Sequence, residues 1–152
     1  MRIVLYNATN PPSVPAPLPA AQRNGRILYA GTLSPEQTYA HYYLQPELDG
    51  IPIDLFGPLK FPQPAGRDQF LRALRPGIRY RGFVDAAELS AIRRPYLASI
   101  VIWNPSNENQ YYAAPNKFFD SIADGVPPIA APHPQCQRLI ERYDCGLLLE
   151  NW

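Results

Sequence analysis

The chain reads as an α/β protein built on a parallel, Rossmann-like sheet of about six strands with helices on both faces. Short apolar runs at positions 26–31, 51–56, 78–83, 98–103, 126–131 and 146–149 have the length and residue types of strands. Between them stand five segments with helix-start signals, most of them closed by Gly or Pro. The run Ala-Ser-Ile-Val-Ile-Trp at 98–103 is the most continuous, as expected of a central strand buried on both faces. Strands alternating with helices give parallel pairing through right-handed crossovers. Ligands of such sheets bind at the carboxyl ends of the strands. The loops that matter are then 31–35, 57–66, 83–85, 104–114 and 131–134.

The elements follow in order. Positions 1–7 form a β-like run with one Arg, which is not the pattern of a signal peptide. Pro-Pro-Ser-Val-Pro-Ala-Pro-Leu-Pro at 11–19 has to be extended and reads as a linker. Residues 1–25 therefore read as a β-like run and a linker leading into a domain at 26–152. Ser34-Pro35-Glu36-Gln37 is a capping box with Pro at the first helical position. The helix it opens should carry Tyr39, Tyr42 and Tyr43 and end near Pro46. The strand at 51–56 closes on Gly57-Pro58, and a helix at 67–74 stops at Pro76-Gly77. A second capping box, Asp85-Ala86-Ala87-Glu88, follows the strand at 78–83, and its helix halts before Pro95. The last helix, 134–143, precedes the strand at 146–149.

The segment 113–132 is the most informative. Pro115 fits the first helical position, and Gly125 fits the place just past the helix end where positive φ is wanted. Phe118, Phe119, Ile122 and Ala123 make an apolar face. Asn116 and Asp120 share a neighbouring face, and Lys117 and Ser121 another. The free N–H groups and partial positive charge at such a helix start suit a phosphate. Asp120, one turn deeper, is placed to reach the hydroxyls of an attached ribose.

Composition narrows the function. At 152 residues the chain is one domain with room for a core, and no apolar run approaches a membrane span. A net charge of +1 does not point to nucleic acid or an acidic membrane. Two lysines stand against twelve arginines, so each lysine is conspicuous. Cys136 and Cys145 have neither metal-ligand spacing nor a disulfide framework, and read as reduced thiols of a cytosolic protein. No Ser/His/Asp or Cys/His constellation supports hydrolytic nucleophilic catalysis. His133 reads as a helix-leading residue and His41 as a helix-surface one.

Pro115-Asn116-Lys117-Phe118-Phe119-Asp120, with Ala123-Asp124-Gly125-Val126-Pro127, resembles the "PNK-x-FEY-x-A-x-G-x-P" signature of group 1 (family 4) retaining glycosyltransferases. Three further pieces are similar to that family and stand in its order. They are Ile27-Leu28-Tyr29-Ala30-Gly31-Thr32-Leu33-Ser34, Tyr80-Arg81-Gly82-Phe83-Val84 with Asp85 to Leu89, and Cys145-Gly146-Leu147-Leu148-Leu149. The resemblance implies a GT-B fold, of which this is the C-terminal half that binds a nucleotide-diphosphate sugar. It implies polysaccharide or glycolipid synthesis, no cofactor and no obligatory metal. It also implies a crossover strand at 1–7, and an acceptor-binding N-terminal domain and closing helices absent from this chain, so that alone it should not turn over.

By the same resemblance, Asp120 would bind the ribose, replacing a Glu at one methylene less reach. Phe83 and Val84 would lie against the base. Pro115, Asn116, Gly31 and Thr32 would surround the phosphates, and Lys117 would neutralise the leaving diphosphate. The family pairs this carboxylate with a second, eight positions earlier, where this chain has Tyr112. Glu108, in Asn107-Glu108-Asn109-Gln110, is the substitute expected from the same loop, with Asn109 beside it in sugar binding. Two basic residues usual near the first strand are Thr32 and Gln37 here. These losses keep a second reading open, a non-catalytic nucleotide-binding or assembly module. A sugar-nucleotide epimerase shares the layout, but nothing resembling its catalytic carboxylate and histidine stands out.

Overall fold

β1 (Ile27–Ala30) pairs in parallel with β2 (Ile53–Phe56) on one side and β4 (Ala98–Val101) on the other. β3 (Ile78–Gly82), β5 (Pro128–Ala130) and β6 (Leu147–Leu148) complete a six-stranded parallel sheet in the order β3-β2-β1-β4-β5-β6. This is the fold expected from the sequence. The chain is seen as a computed structural model that describes residues 16–152. The expected strand at 1–7 and the start of the proline-rich stretch lie outside the described residues.

Register sorts the side chains. Tyr29 stands beside Leu55 and Ile100, so these residues share one face of the sheet. There they pack with Leu33, Ala40 and Tyr43 from the segment after β1, Phe70 of α2 (Pro64–Ala73) and Ile102 just beyond β4. The opposite face carries Leu28, Ala30 and Phe56 against Tyr96 and α3 (Ala86–Arg93). Further along it, Val101 and Ala130 pack against Phe118 of α5 (Asn116–Ala123) and Cys136 and Ile140 of α6 (Pro134–Tyr143). Asp54 of β2 is buried on this second face. Burial opposes its ionisation, but bonds from Arg26 (2.7 Å) and the Tyr96 hydroxyl (2.8 Å) outweigh that and hold its pKa below the usual range.

Several local expectations change. The helix begun at Ser34 lasts only from Pro35 to Thr38 as α1. Tyr39 then turns left-handed (φ 52°), and a 3₁₀ segment, Ala40–Leu44, carries Ala40 and Tyr43 into the core. Tyr39 and Tyr42 stack on each other outside it, with ring centroids 5.0 Å apart. Only half of the first capping box forms. Ser34 accepts from the Gln37 N–H, but its own N–H is bonded by Thr38 Oγ1 rather than by Gln37. Asp85 makes no side-chain cap bond at all. The loop expected at 104–114 contains a helical turn, α4 (Glu108–Tyr111), capped by Asn107.

Residues 16–25 lie against the domain. The Arg23 guanidinium donates to the carbonyls of Leu18, Tyr96 and Gly125, tying this stretch to the segment before β4 and to the turn between α5 and β5. Trp152 also packs inward, edge-on to His133 at 4.3 Å.

Glycines bring the strand ends close together. Gly57 has φ +128°, and a Cβ there would overlap the carbonyl of Gly31. We expect Gly57→Ala to lower the unfolding free energy by about 2–3 kcal/mol in urea titration, since both the φ and the contact forbid a side chain.

Candidate functional site

The carboxyl ends of β1, β4 and β5 converge on the start of α5. Pro115 stands at the N-cap of this helix rather than at its first helical position, because its ψ of 149° is still extended. It offers no side-chain acceptor, and no side chain caps the helix. The first N–H groups of α5 are therefore turned toward whatever lies beyond the sheet edge. The helix buries Phe118 and Ser121. Ile122, expected in its apolar face, is exposed, and the Ser121 hydroxyl takes the inward place by donating to the Lys117 carbonyl at 2.7 Å.

Lys117 reaches from α5 across to β1. Its Nζ lies 4.9 Å from the centre of the Tyr29 ring, a cation–π distance. It also sits beside Gly31, where a Cβ would come within 3.1 Å of the amine. Gly31 thus leaves room for the ammonium. Among the described residues, no acceptor bonds this Nζ. Loss of solvent pulls its pKa down to about 8. Tyr29 is fixed from below by a 2.6 Å bond from its hydroxyl to the Thr32 carbonyl. The same carbonyl accepts from Thr38 Oγ1 at 2.9 Å.

A layer of aromatic rings backs this arrangement. His133, the N-cap of α6, is fully buried, stacked on Trp103 and flanked by Trp152. Its two ring nitrogens stand 3.2 Å from the carbonyls of Tyr111 and Trp103. Burial drives its pKa down to about 4, with the Lys117 charge adding to the fall and the two carbonyls opposing it. The imidazole is therefore neutral at physiological pH, a structural ring rather than a proton donor.

Asp120 lies in the second turn of α5, at a cleft of about 320 Å³ between α3 and α5. Ala86, Leu89, Ser90 and Ala123 line the cleft, and the buried pair Arg93–Asp124 lies deeper, with Ser90 donating to Asp124. Phe83, just before α3, is exposed, whereas Val84 packs against the Leu28 cluster. Glu108 and Asn109 are exposed on α4, and Asn116 is exposed at the start of α5. Lys117 and Gly31 thus meet over Tyr29 at one point of the sheet edge, the Thr32 carbonyl holding the Tyr29 hydroxyl, and Asp120 opens onto the neighbouring cleft. Sequence reasoning missed Tyr29, Trp103 and His133. Tyr29 looked like any other strand residue, and the stacking of Trp103 on His133 joins positions thirty residues apart.

Among the described residues, no group of His, Cys, Asp or Glu has the makings of a metal site, and no helix is long and apolar enough to cross a membrane. Both cysteines are unbridged, and burial raises the Cys136 thiol to about 12.

No protein-family model matches this sequence, and no curated protein matches it significantly. Among solved structures, the apo form of a lipopolysaccharide outer core galactosyltransferase, WaaB, superposes with a TM-score of 0.59 and 17% identity. The match covers 85% of this chain and 36% of that one. At this identity the likeness establishes the fold alone, a Rossmann-like parallel sheet flanked by helices. This chain spans little more than a third of that enzyme's length.

The amine of Lys117 costs the fold stability while it is charged and desolvated. Its pKa falls from 10.5 to about 8 on folding, so the native state resists protonation, and the penalty is full below pH 8 and fades as pH rises toward 10.5. Lys117→Met should raise the unfolding free energy at pH 7 by roughly 1–3 kcal/mol, and the gain should shrink by pH 10. Urea melts at the two pH values test this; a loss of stability at pH 7 would show that the ammonium is well solvated.

Proposed function

We propose that this chain is the donor-binding part of a glycosyltransferase that uses a nucleotide-diphosphate sugar. The observation that carries the reading is the Lys117 ammonium, desolvated and without an acceptor among the described residues, at the uncapped start of α5. An anion is the partner that such a site lacks. The diphosphate would lie over Gly31, between the α5 N–H groups and Lys117. The ribose would reach Asp120, and the base would lie toward Phe83 and Val84 at the α3 end of the cleft. Pro115 and Asn116 frame the phosphate position.

The chemistry follows from charge. As the bond from the anomeric carbon to the phosphate oxygen breaks, its electron pair stays on the nucleoside diphosphate, and the sugar gains oxocarbenium character. Lys117 and the helix start stabilise the developing phosphate charge. Glu108 lies in the same loop cluster as a carboxylate for the cationic sugar. The acceptor, a glycan or glycolipid held by a second domain, would attack with its hydroxyl oxygen from the face the diphosphate leaves, and its proton would pass to the leaving phosphate oxygen, so that configuration is retained. A soluble enzyme facing the cytoplasm, where nucleotide-sugars are made, fits this chemistry.

A second reading is favoured by Thr32, Gln37 and Tyr112, which stand where further charges would help: a module that binds nucleotide without transfer. Slow release of nucleoside diphosphate from a bound nucleotide-sugar supports transfer chemistry, and tight binding with an intact sugar–phosphate bond supports the module.

Chemical-shift mapping with UDP, GDP and ADP is expected to perturb 31–32, 83–86 and 115–121. Asp120→Asn should weaken binding by about 1–3 kcal/mol with little change in melting temperature. Perturbations confined to the amino-terminal edge of the sheet would remove this site from consideration.

A further inference from the structure

Three large aromatic side chains stand exposed on the loops at the carboxyl edge of the sheet: Phe83 (67%), Tyr111 (38%) and Tyr112 (57%). Tyr111 and Tyr112 stand together, and adjacent exposed aromatic rings beside a site mark a contact surface rather than scattered surface apolarity. Phe83 belongs to the base end of the proposed donor site. Tyr111 and Tyr112 lie on its other side, between β4 and α5. Tyr112 is three positions before Pro115, so their Cα atoms are at most about 11 Å apart even with the chain fully extended.

The pair is held rigidly. The Asn107 side chain accepts from the Gln110 N–H at 2.9 Å, and Trp103 Nε1 donates to the Gln110 carbonyl at 2.8 Å. His133 Nδ1 meets the Tyr111 carbonyl at 3.2 Å. The Tyr111 ring leans toward Trp152, centroids 6.4 Å apart, and meets Tyr112 edge-on at 4.9 Å and 82°. The same buried imidazole that is close enough to feel the Lys117 charge thus pins the backbone beneath the tyrosines. Tyr112 is an open ring on a fixed base, a form of contact surface that loses little conformational entropy on binding.

We propose that Tyr112, backed by Tyr111, is a stacking platform for the glycosyl group of the donor. The inference rests on the donor-site reading above. A pyranose ring has one face of C–H bonds, and such a face packs on an aromatic ring as other apolar groups do, while the phenol hydroxyl stays hydrated. A ring platform grips that C–H face without a hydrogen bond to any particular hydroxyl. The site therefore selects the sugar by ring shape and axial substituents more than by its hydroxyl pattern. Tyr112 is a specificity-determining residue, and Tyr111 positions it.

The experiment is calorimetric titration of the 152-residue chain and its Tyr112→Ala and Tyr112→Trp variants with two ligand pairs, UDP with UDP-glucose and GDP with GDP-mannose. In whichever pair binds, Tyr112→Ala should weaken the sugar conjugate by roughly 3- to 10-fold while leaving the bare diphosphate unchanged. Tyr112→Trp should keep or improve conjugate binding. Melting temperatures check that both variants fold; should the Ala variant fail to fold, Tyr112→Gln takes its place. An equal loss for conjugate and diphosphate overturns the platform, because the ring would then serve the nucleotide or the fold. No loss for either also overturns it, and leaves the donor-site reading standing. Failure of the unaltered chain to bind any of the four ligands overturns both.

Discussion

Parallel pairing of β1 with β2 on one side and β4 on the other is the constraint on which the rest of this structure depends. It makes β1 the strand from which the chain order reverses, so its carboxyl end opens between two loops that diverge. Tyr29, on one face of that strand, is fully buried and fixes the first sheet layer. Gly31, just beyond the strand, has no side chain to close the gap. A lysine from the far side of β4 is therefore able to bring its amine over β1. Had β1 stood at an edge, no helix start would face it from the other side.

A protein whose twelve arginines outnumber its lysines by six to one has placed one of its two lysines at this point. The choice has a physical consequence. A guanidinium remains charged in nearly any surroundings, whereas an ammonium responds to desolvation. Lys117 rests on an aromatic face, which partly offsets the lost water, and no carboxylate among the described residues compensates it with a salt bridge. The fold accepts this cost, as proteins do at sites that bind and react, and offsets it with the packed rings of Trp103, His133 and Trp152 beneath.

The sheet was legible in the sequence because each strand is a short apolar run and each helix carries its own punctuation. Ser34-Pro35, Asp85 and Pro134 mark helix starts within one residue of where α1, α3 and α6 begin. The failures have local causes. The tyrosines after Thr38 suit a helix by spacing, but the core takes Ala40 and Tyr43 together, which a left-handed Tyr39 and a tighter 3₁₀ turn allow. Ile122 looked like core and is exposed, because Phe118 and Ser121 set the helix rotation. At the site, the sequence placed Lys117 and Asp120 on one helix, and the structure brings Gly31 to Lys117. It did not disclose that Lys117 would lie on Tyr29, since a cation–π contact across the sheet leaves no trace in spacing. Nor did it disclose the buried His133, whose polar neighbours are backbone carbonyls rather than side chains.

The central claim is that the Lys117 ammonium is kept without a protein acceptor in order to meet a phosphate. Carbon-13 NMR titration of the Lys117 Cε resonance, with and without UDP or GDP, measures this directly. Lys117 should titrate near pH 8 in the free protein. With nucleotide bound it should titrate at least about one unit higher, because a nearby anion favours the charged amine. A Lys117 pKa unmoved by a nucleotide that demonstrably binds would contradict the claim.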